Sequence, residues 1–301
     1  VSLSLYYFLT ITAIYILMSW CLYLPYRVAH LHFLTVANML ISGYLAGFLV
    51  LSFHLPFALA LLLGFAAGGV VGLLVSLFIG DAPTFTVVIV GFTFIYISRT
   101  AVENIKALGG TLGLFGLPLV ASTPGLHRLT LLIVAYALVV LVGLLIYRFD
   151  RSRLGRAASA AFVDKELAGS LGVDIRRLGR LLQTFSSTVA GGCGVIYAFI
   201  YRSLHLDYFT FHLVGIFMTV IFVGGYASMW GTVVAAPLLY GLTLILPPEV
   251  ASWRIVIYGA ILMAVLVLKP EGFLTRRFIV SIEKALSRMR RRNTRTFKEG
   301  G

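Results

Sequence analysis

The residues able to touch a polar solute inside this 301-residue chain are few and uncharged. Asn38, Gln183, Thr184, Ser186, Ser187 and Thr188 lie within long apolar runs. Amide and hydroxyl groups in such runs either line a path for a polar solute or tie one helix to the next. No aspartate or glutamate falls in the middle of an apolar run; Glu103, Asp207 and Glu249 all stand at run ends. Ion-coupled transport is thereby disfavoured, because it needs a carboxylate relay at depth, where a charge costs at least about 2.5–3.5 kcal/mol. No G-x-x-x-x-G-K-[ST] occurs, so the chain cannot cradle a nucleotide phosphate in that manner. H-E-x-x-H and G-x-S-x-G are also missing, which removes the commoner intramembrane hydrolases. No catalytic residue, metal ligand or cofactor is assigned. His205 and His212 share a helix face but read as packing, and Cys21 and Cys193 as small buried hydrophobes.

The most specific polar segment is the loop over 147–185, YRFDRSRLGRAASAAFVDKELAGSLGVDIRRLGRLLQTF. Its spacing predicts one helix over 157–171, closed by Gly172, and a second helix that starts at Asp174 and runs into the next apolar segment. Asp164 and Glu166 fall near the middle of the first helix. Ala160, Ala161, Leu167, Ala168 and Leu171 give it a small-residue apolar side. A short helix of this kind either fits a groove on another protein or is a connector solvated by its charges.

These residues must be held by membrane-spanning elements. Six residues in ten are apolar and 12% are charged, more apolar surface than a water-soluble chain of this length can hide. Nine runs are long enough to cross a bilayer, over 3–24, 33–53, 56–79, 83–102, 128–147, 182–201, 208–224, 231–247 and 253–269. The fold class expected is all-α, a polytopic bundle of about nine spans, with eight or ten if a weak run is redrawn. The run at 3–24 has no basic residues before it and no cleavage site after it, so it is expected to stay as a span. The net charge of +13 comes mainly from one loop and one tail, which argues against a nucleic-acid face and sets orientation instead. Arg27, eight basic residues in the central loop and ten from Lys269 onward fall on one side. Arg99, Lys106, Arg128, Arg202 and Arg254 fall on the other. The basic side is cytoplasmic by the positive-inside rule, with the amino terminus outside and the tail inside.

A single transmembrane domain is expected over 1–275, with the cytoplasmic loop at 148–181, followed by a basic tail over 276–301. In the tail, Phe278, Ile279, Ile282, Ala285, Leu286 and Met289 recur at helical intervals among Arg and Lys. Such a helix either lies along anionic lipid, each basic residue gaining on the order of 1 kcal/mol, or is a solvated tail that only fixes topology. The outer segment 103–127 is too broken by Gly and Pro for a span and too apolar for a free loop, and is expected to pack on the outer mouth. Gly191, Gly192, Gly194, Gly224, Gly225 and Gly231 predict close helix approach, with a helix break over 224–231.

The loop resembles the coupling segment of the branched-chain amino-acid type ABC importer permeases, R-S-x-x-G-R-A-L-x-A-I-R-x-[DE]-x-x-A-A-x-x-x-G-[IV]-[DN]. Arg151, Ser152, Gly155, Arg156, Ala157, Ala160, Asp164, Glu166, Ala168, Gly172, Val173 and Asp174 follow it. The stretch 222–231 with Pro237 is similar to the family's G-G-x-G-[ST]-x-x-G-P block, and 269–273, KPEGF, to its closing P-x-G-[LI]. The outer GGTLGLFGLP at 109–118 resembles the piece typical of the family's M-type subunit. The likeness runs from about 107 to 274. Upstream, HFLTVANMLISGY keeps only Gly43 and Tyr44 of the family's glycine-rich start. Tyr226-Ala227 and Ala236 stand where glycine is common.

The resemblance implies the permease subunit of an ATP-driven importer in a bacterial inner membrane. It would pair with a second permease, two cytoplasmic ATP-binding subunits and a periplasmic solute-binding protein. ATP hydrolysis would reside on the partners. Gly155, Arg156, Asp164, Glu166, Ala168 and Gly172 would be the coupling residues. The solute would be a branched-chain or other small amino acid, with urea and short amides as relatives. The substrate-path candidates read from the residues are Asn38, Gln183, Thr184 and Ser187. An uncoupled channel and a membrane scaffold are the alternatives from other classes.

Overall fold

The computed structural model describes residues 2–28, 30, 32–79, 82–226, 228–245 and 253–268. The basic tail, the 269–273 block and Glu249 lie outside the described residues. The helices, in chain order, are α1 (Leu3–Tyr26), α2 (Leu34–Phe53), α3 (Phe57–Ile79), α4 (Thr84–Asn104), α5 (Pro124–Arg151), α6 (Arg153–Val163), α7 (Lys165–Ser170), α8 (Ile175–Tyr201), α9 (Phe211–Gly224), α10 (Met229–Ile245) and α11 (Arg254–Leu268). Among the described residues, seven apolar helical segments are long enough to cross a membrane, counting the 3-10 turn that leads into α9; α10 and α11 are shorter, at 17 and 15 residues. The chain is a multi-pass helical membrane protein. Helices are the natural solution, since in lipid every backbone polar group must be satisfied within its own segment.

Two helices extend well beyond the apolar runs, and local capping explains both. Thr123 accepts a hydrogen bond from the Leu126 amide, so α5 begins at Pro124. Asp174 accepts from the Arg177 amide at 2.9 Å, so α8 begins inside the polar loop. The single helix expected over 157–171 is instead two. The Asp164 carboxylate accepts from the Leu167 amide at 3.0 Å and starts α7 afresh, ending α6 one residue earlier. Gly172 closes α7 with φ +84°, a left-handed conformation that glycine adopts without a Cβ penalty.

Helix α8 is the axis of the bundle. Between Ser186 and Ile200 only Thr188 and Tyr197 escape full burial, and α1, α2 and α3 surround it. The glycines of α8 permit this. A Cβ at Gly191 would lie 2.8 Å from Ser42 Oγ and 3.0 Å from Gly68 Cα, and one at Gly194 would lie 3.1 Å from the Gly43 amide nitrogen. The break expected over 224–231 is present: α9 stops at Gly224, α10 starts at Met229, and Gly224 and Gly231 pack backbone to backbone.

At one end of the bundle Tyr7 of α1 stacks on Tyr201 of α8 at 5.9 Å. Here the segment after α4 folds back through two 3-10 turns into β1 (Leu114–Phe115), which pairs antiparallel with β2 (Ser203–Leu204). Gly113, at φ +87°, makes that pairing possible, since any side chain there would collide with the Leu204 carbonyl. Arg202 Nε donates to the Leu117 carbonyl at 2.8 Å and Tyr44 Oη to the Leu204 carbonyl at 3.0 Å, so this short two-stranded ladder is pinned onto α2. The outer segment therefore packs on the bundle end. At the opposite end Tyr26 meets Phe162 of α6, so the polar loop and the carboxyl terminus of α1 share one face.

Candidate functional site

Helix α2 presents Thr35, Asn38 and Ser42 at steps of three and four, which is one helical face, and His32 stands in the connector just before it. All four are buried, none exposing more than 2% of its surface. Helix α8 presents Gln183, Ser186 and Ser187, also buried, with the hydroxyl of Thr184 covered as well. The two helices run parallel, because Gly179 meets His30 and Gly191 meets Ser42. The same offset sets Asn38 level with Ser187 and Thr35 level with Thr184. Helix α3 runs antiparallel to α8 and closes the third side with Gly64, Gly68 and Gly72, which touch Val195, Gly191, Ser187 and Thr184. Their spacing of four puts all three on one face.

Among the described residues, none of the side-chain polar atoms of His32, Thr35, Asn38, Ser42, Ser186 and Ser187 has a hydrogen-bond partner; nor do Gln183 Nε2 and Thr184 Oγ1. Several other hydroxyls in the bundle satisfy themselves on their own helix. Thr188 Oγ1 donates to the Thr184 carbonyl at 2.8 Å, Ser76 to Leu73 at 2.7 Å and Thr219 to Gly215 at 2.8 Å. Each buried polar group left without a partner costs about 1–3 kcal/mol. A group of them on two helices packed together is therefore arranged for something polar other than protein. It contains donors and acceptors of both kinds and no formal charge. Arg27 and Asp150, an ion pair at 3.3 Å, stand at its loop end rather than within it.

His32 lies in the connector between α1 and α2. Burial, reinforced by the neighbouring His30, pushes its imidazole down to about 3. Burial and then the charge of Lys165 lower His30 as well. With a folded value below the ordinary 6.5, the neutral form of His32 is favoured. The stability it contributes is whole above about pH 6.5 and is lost as pH falls towards 3. Lowering the pH from 7.5 to 5 should cost on the order of 2 kcal/mol through this residue. The check is thermal unfolding in detergent at both pH values. Wild type should lose more thermal stability than His32→Asn, and equal losses would contradict a buried neutral His32.

Asn38, Gln183, Thr184 and Ser187, the residues expected to line a path, are brought together here. Thr188 is not among the unpartnered groups. Sequence reasoning missed His32, Thr35 and Ser42, although their three-three-four spacing with Asn38 was available as a signal. It also missed the Gly64, Gly68 and Gly72 stripe, whose spacing of four marks a close helix contact.

The second group of sequence-predicted residues lies in α6, α7 and the turn after them. Asp164, Glu166 and Gly172 are exposed; so is Arg156, whose Nη1 donates to the Arg151 carbonyl at 3.2 Å. Gly155 and Ala168 instead turn inward. A Cβ on Gly155 would lie 2.8 Å from Asp150 Cα, and Ala168 exposes 2% of its surface. The exposed apolar residues of the loop include Leu154, Val163, Leu167 and Leu171, with Val163 85% exposed. His205 packs its ring on Phe115 at 4.7 Å and on Tyr208 at 5.5 Å.

Comparison with known proteins places these features in a family. Residues 4–266 match the model of the branched-chain amino acid transport system permease component. The high-affinity branched-chain amino acid transport system permease protein LivM of Escherichia coli (strain K12) is 29% identical over 144 residues, covering 48% of this chain and 34% of the relative. LivM of Salmonella typhimurium (strain LT2) is 28% identical over 144 residues, with the same coverage. The match thus spans about a third of the length of these relatives. No solved structure matches the chain. A match to the family model over nearly the whole length, on a bundle of apolar helices around an uncharged polar core, means that this chain belongs to the branched-chain amino acid transport system permease family.

Proposed function

We propose that the chain is the membrane-spanning subunit of an ATP-driven importer for branched-chain or other small amino acids. The observation that carries this reading is the uncharged polar core between α2 and α8. A zwitterion has no net charge to neutralise, and its ammonium and carboxylate are solvated by amide and hydroxyl groups of both polarities. Asn38, Gln183, Thr184 and Ser187 form its middle, with His32, Thr35, Ser42 and Ser186 around them. The chain lies in a bacterial inner membrane with the α6–α7 loop and the tail in the cytoplasm. It works with a second permease, two ATP-binding subunits and a periplasmic solute-binding protein, and its basic tail rests on anionic lipid.

Coupling enters through the loop. Asp164, Glu166, Arg156 and Gly172 meet an ATP-binding subunit, and the exposed Val163, Leu167 and Leu171 supply the apolar anchors. Gly155 and Ala168 shape the loop from within rather than touching the partner. Closure of the ATP-binding pair displaces the loop, and the spans exchange between two states of access that bind the solute differently.

The test is reconstitution in vesicles. Labelled leucine uptake should require ATP and the ATP-binding partners, and the chain alone should hydrolyse no ATP. In whole cells, a membrane-impermeant thiol reagent should label Thr123→Cys and spare Ser170→Cys; the native cysteines are both buried. Uptake without ATP would sink the coupled reading, and labelling of Ser170→Cys would invert the orientation.

A further inference from the structure

The α1 carboxyl terminus, α5 and α6 meet in one cluster beneath the polar core. Arg27, the residue that caps α1, sends Nη2 to Ser159 Oγ of α6 at 2.9 Å. The same nitrogen lies 3.3 Å from Asp150 Oδ1 near the end of α5. Tyr23 Oη donates to the other Asp150 oxygen at 3.4 Å. The side chains of Arg27 and Asp150 are 20% and 27% exposed, so the pair is partly withdrawn from water and its partners are coupled more strongly than on an open surface. On the adjacent side the Phe162 ring of α6 meets Tyr26 at 5.4 Å and Tyr226 at 6.3 Å, the latter in the break between α9 and α10.

Two neighbours make this junction more than a brace. Outward, the residue after Phe162 is the exposed Val163, at the corner where α6 gives way to α7. Inward, the chain from Arg27 passes His30, which lies against Gly179 of α8, and reaches His32, the first residue of the unpartnered polar face. A displacement of α6 thus has a short covalent and polar route to the loop end of the core.

We infer that the Arg27–Asp150–Ser159 cluster is the latch through which α6 moves the α1–α2 connector and so opens or closes the loop end of the polar core. The inference rests on the importer reading and adds to it the positioning residues that carry the motion. Arg27 touches neither solute nor nucleotide; it acts by holding α1 to α6.

The experiment uses the assembled complex in vesicles, with solute uptake and ATP hydrolysis measured on the same sample. Arg27→Gln should leave assembly and ATP hydrolysis near wild type while solute moved per ATP falls about tenfold, within the usual range of coupling between distant sites. Ser159→Ala, which endangers folding least, should lower the same ratio in the same direction by less. The charge exchange Arg27→Asp with Asp150→Arg should recover most of the ratio, which a purely local packing defect would not allow. An unchanged ratio in both single variants overturns the latch. Equal loss of uptake and hydrolysis also overturns it, because that marks a structural brace. Wild-type uptake that needs no ATP removes the importer reading itself and the latch with it.

Discussion

Replacing Gly68 with leucine should abolish the folded bundle, the largest effect of any single substitution considered. Gly68 faces α8 at its narrowest approach. A Cβ there would run into the Ser187 carbonyl oxygen and lie 2.9 Å from Gly191 Cα, both backbone atoms of the central helix. A flexible side chain could swing away, but backbone can yield only if α3 and α8 separate. Separation would dismantle the contacts of Gly64 and Gly72 on the same face. Overpacking of a core ordinarily costs about 1–3 kcal/mol, and a branched side chain driven against backbone exceeds that range. Glycine in mid-helix is itself unfavourable by roughly 0.5–1 kcal/mol, so a row of three is explained by the close approach it permits. The check is size-exclusion profile and thermal unfolding in detergent. Gly68→Leu should aggregate or melt far below wild type, whereas Leu74→Phe on the half-exposed outer face of α3 should behave as wild type. A well-folded Gly68→Leu protein would mean that α3 does not pack on α8 in this register.

Glu166→Arg and Gly172→Leu should each abolish coupled transport while leaving membrane insertion intact. Glu166 is exposed in the first turn of α7, so reversing its charge alters the surface offered to a partner rather than the bundle. A mispaired charge in an interface costs several kcal/mol. Gly172 fails for a different reason. No atom of the described residues lies within 4 Å of an added Cβ, so leucine has room, but φ of +84° places it in a conformation that costs an L-residue roughly 1–2 kcal/mol. The strain is relieved by re-aiming the turn, where the Val173 amide now donates to the Ala168 carbonyl at 3.1 Å, and that moves α7 relative to α8. Detergent pull-down of the ATP-binding subunits and substrate-stimulated hydrolysis in vesicles distinguish the two routes. Glu166→Arg should lose the partner, and Gly172→Leu should lose stimulation even where the partner is retained. Full transport by both variants would make the loop a solvated connector and remove coupling from the proposal.

Several features were determined by the sequence alone, because they depend on forces acting over a few residues. The apolar runs dictate helices, since backbone groups in lipid have only their own segment to bond. Gly172 and Asp174 mark the end of one loop helix and the start of α8 through local cap geometry. Asn38, Gln183, Thr184 and Ser187 stand out as polar groups in apolar surroundings. Even here a local competitor intervened: the Asp164 carboxylate captures the Leu167 amide and divides a helix that periodicity alone would run through. Thr188 bonds the Thr184 carbonyl on its own helix, but only the tertiary structure buried Ser187 without a partner among the described residues. It also turned Ala168 and Gly155 inward, and it joined His32, Thr35 and Ser42 to the polar face. These outcomes follow from which helix faces meet. That is decided by the close backbone contacts of Gly43, Gly64 and Gly68 with Gly191 and Gly194, residues more than a hundred positions apart whose pairing no local spacing encodes.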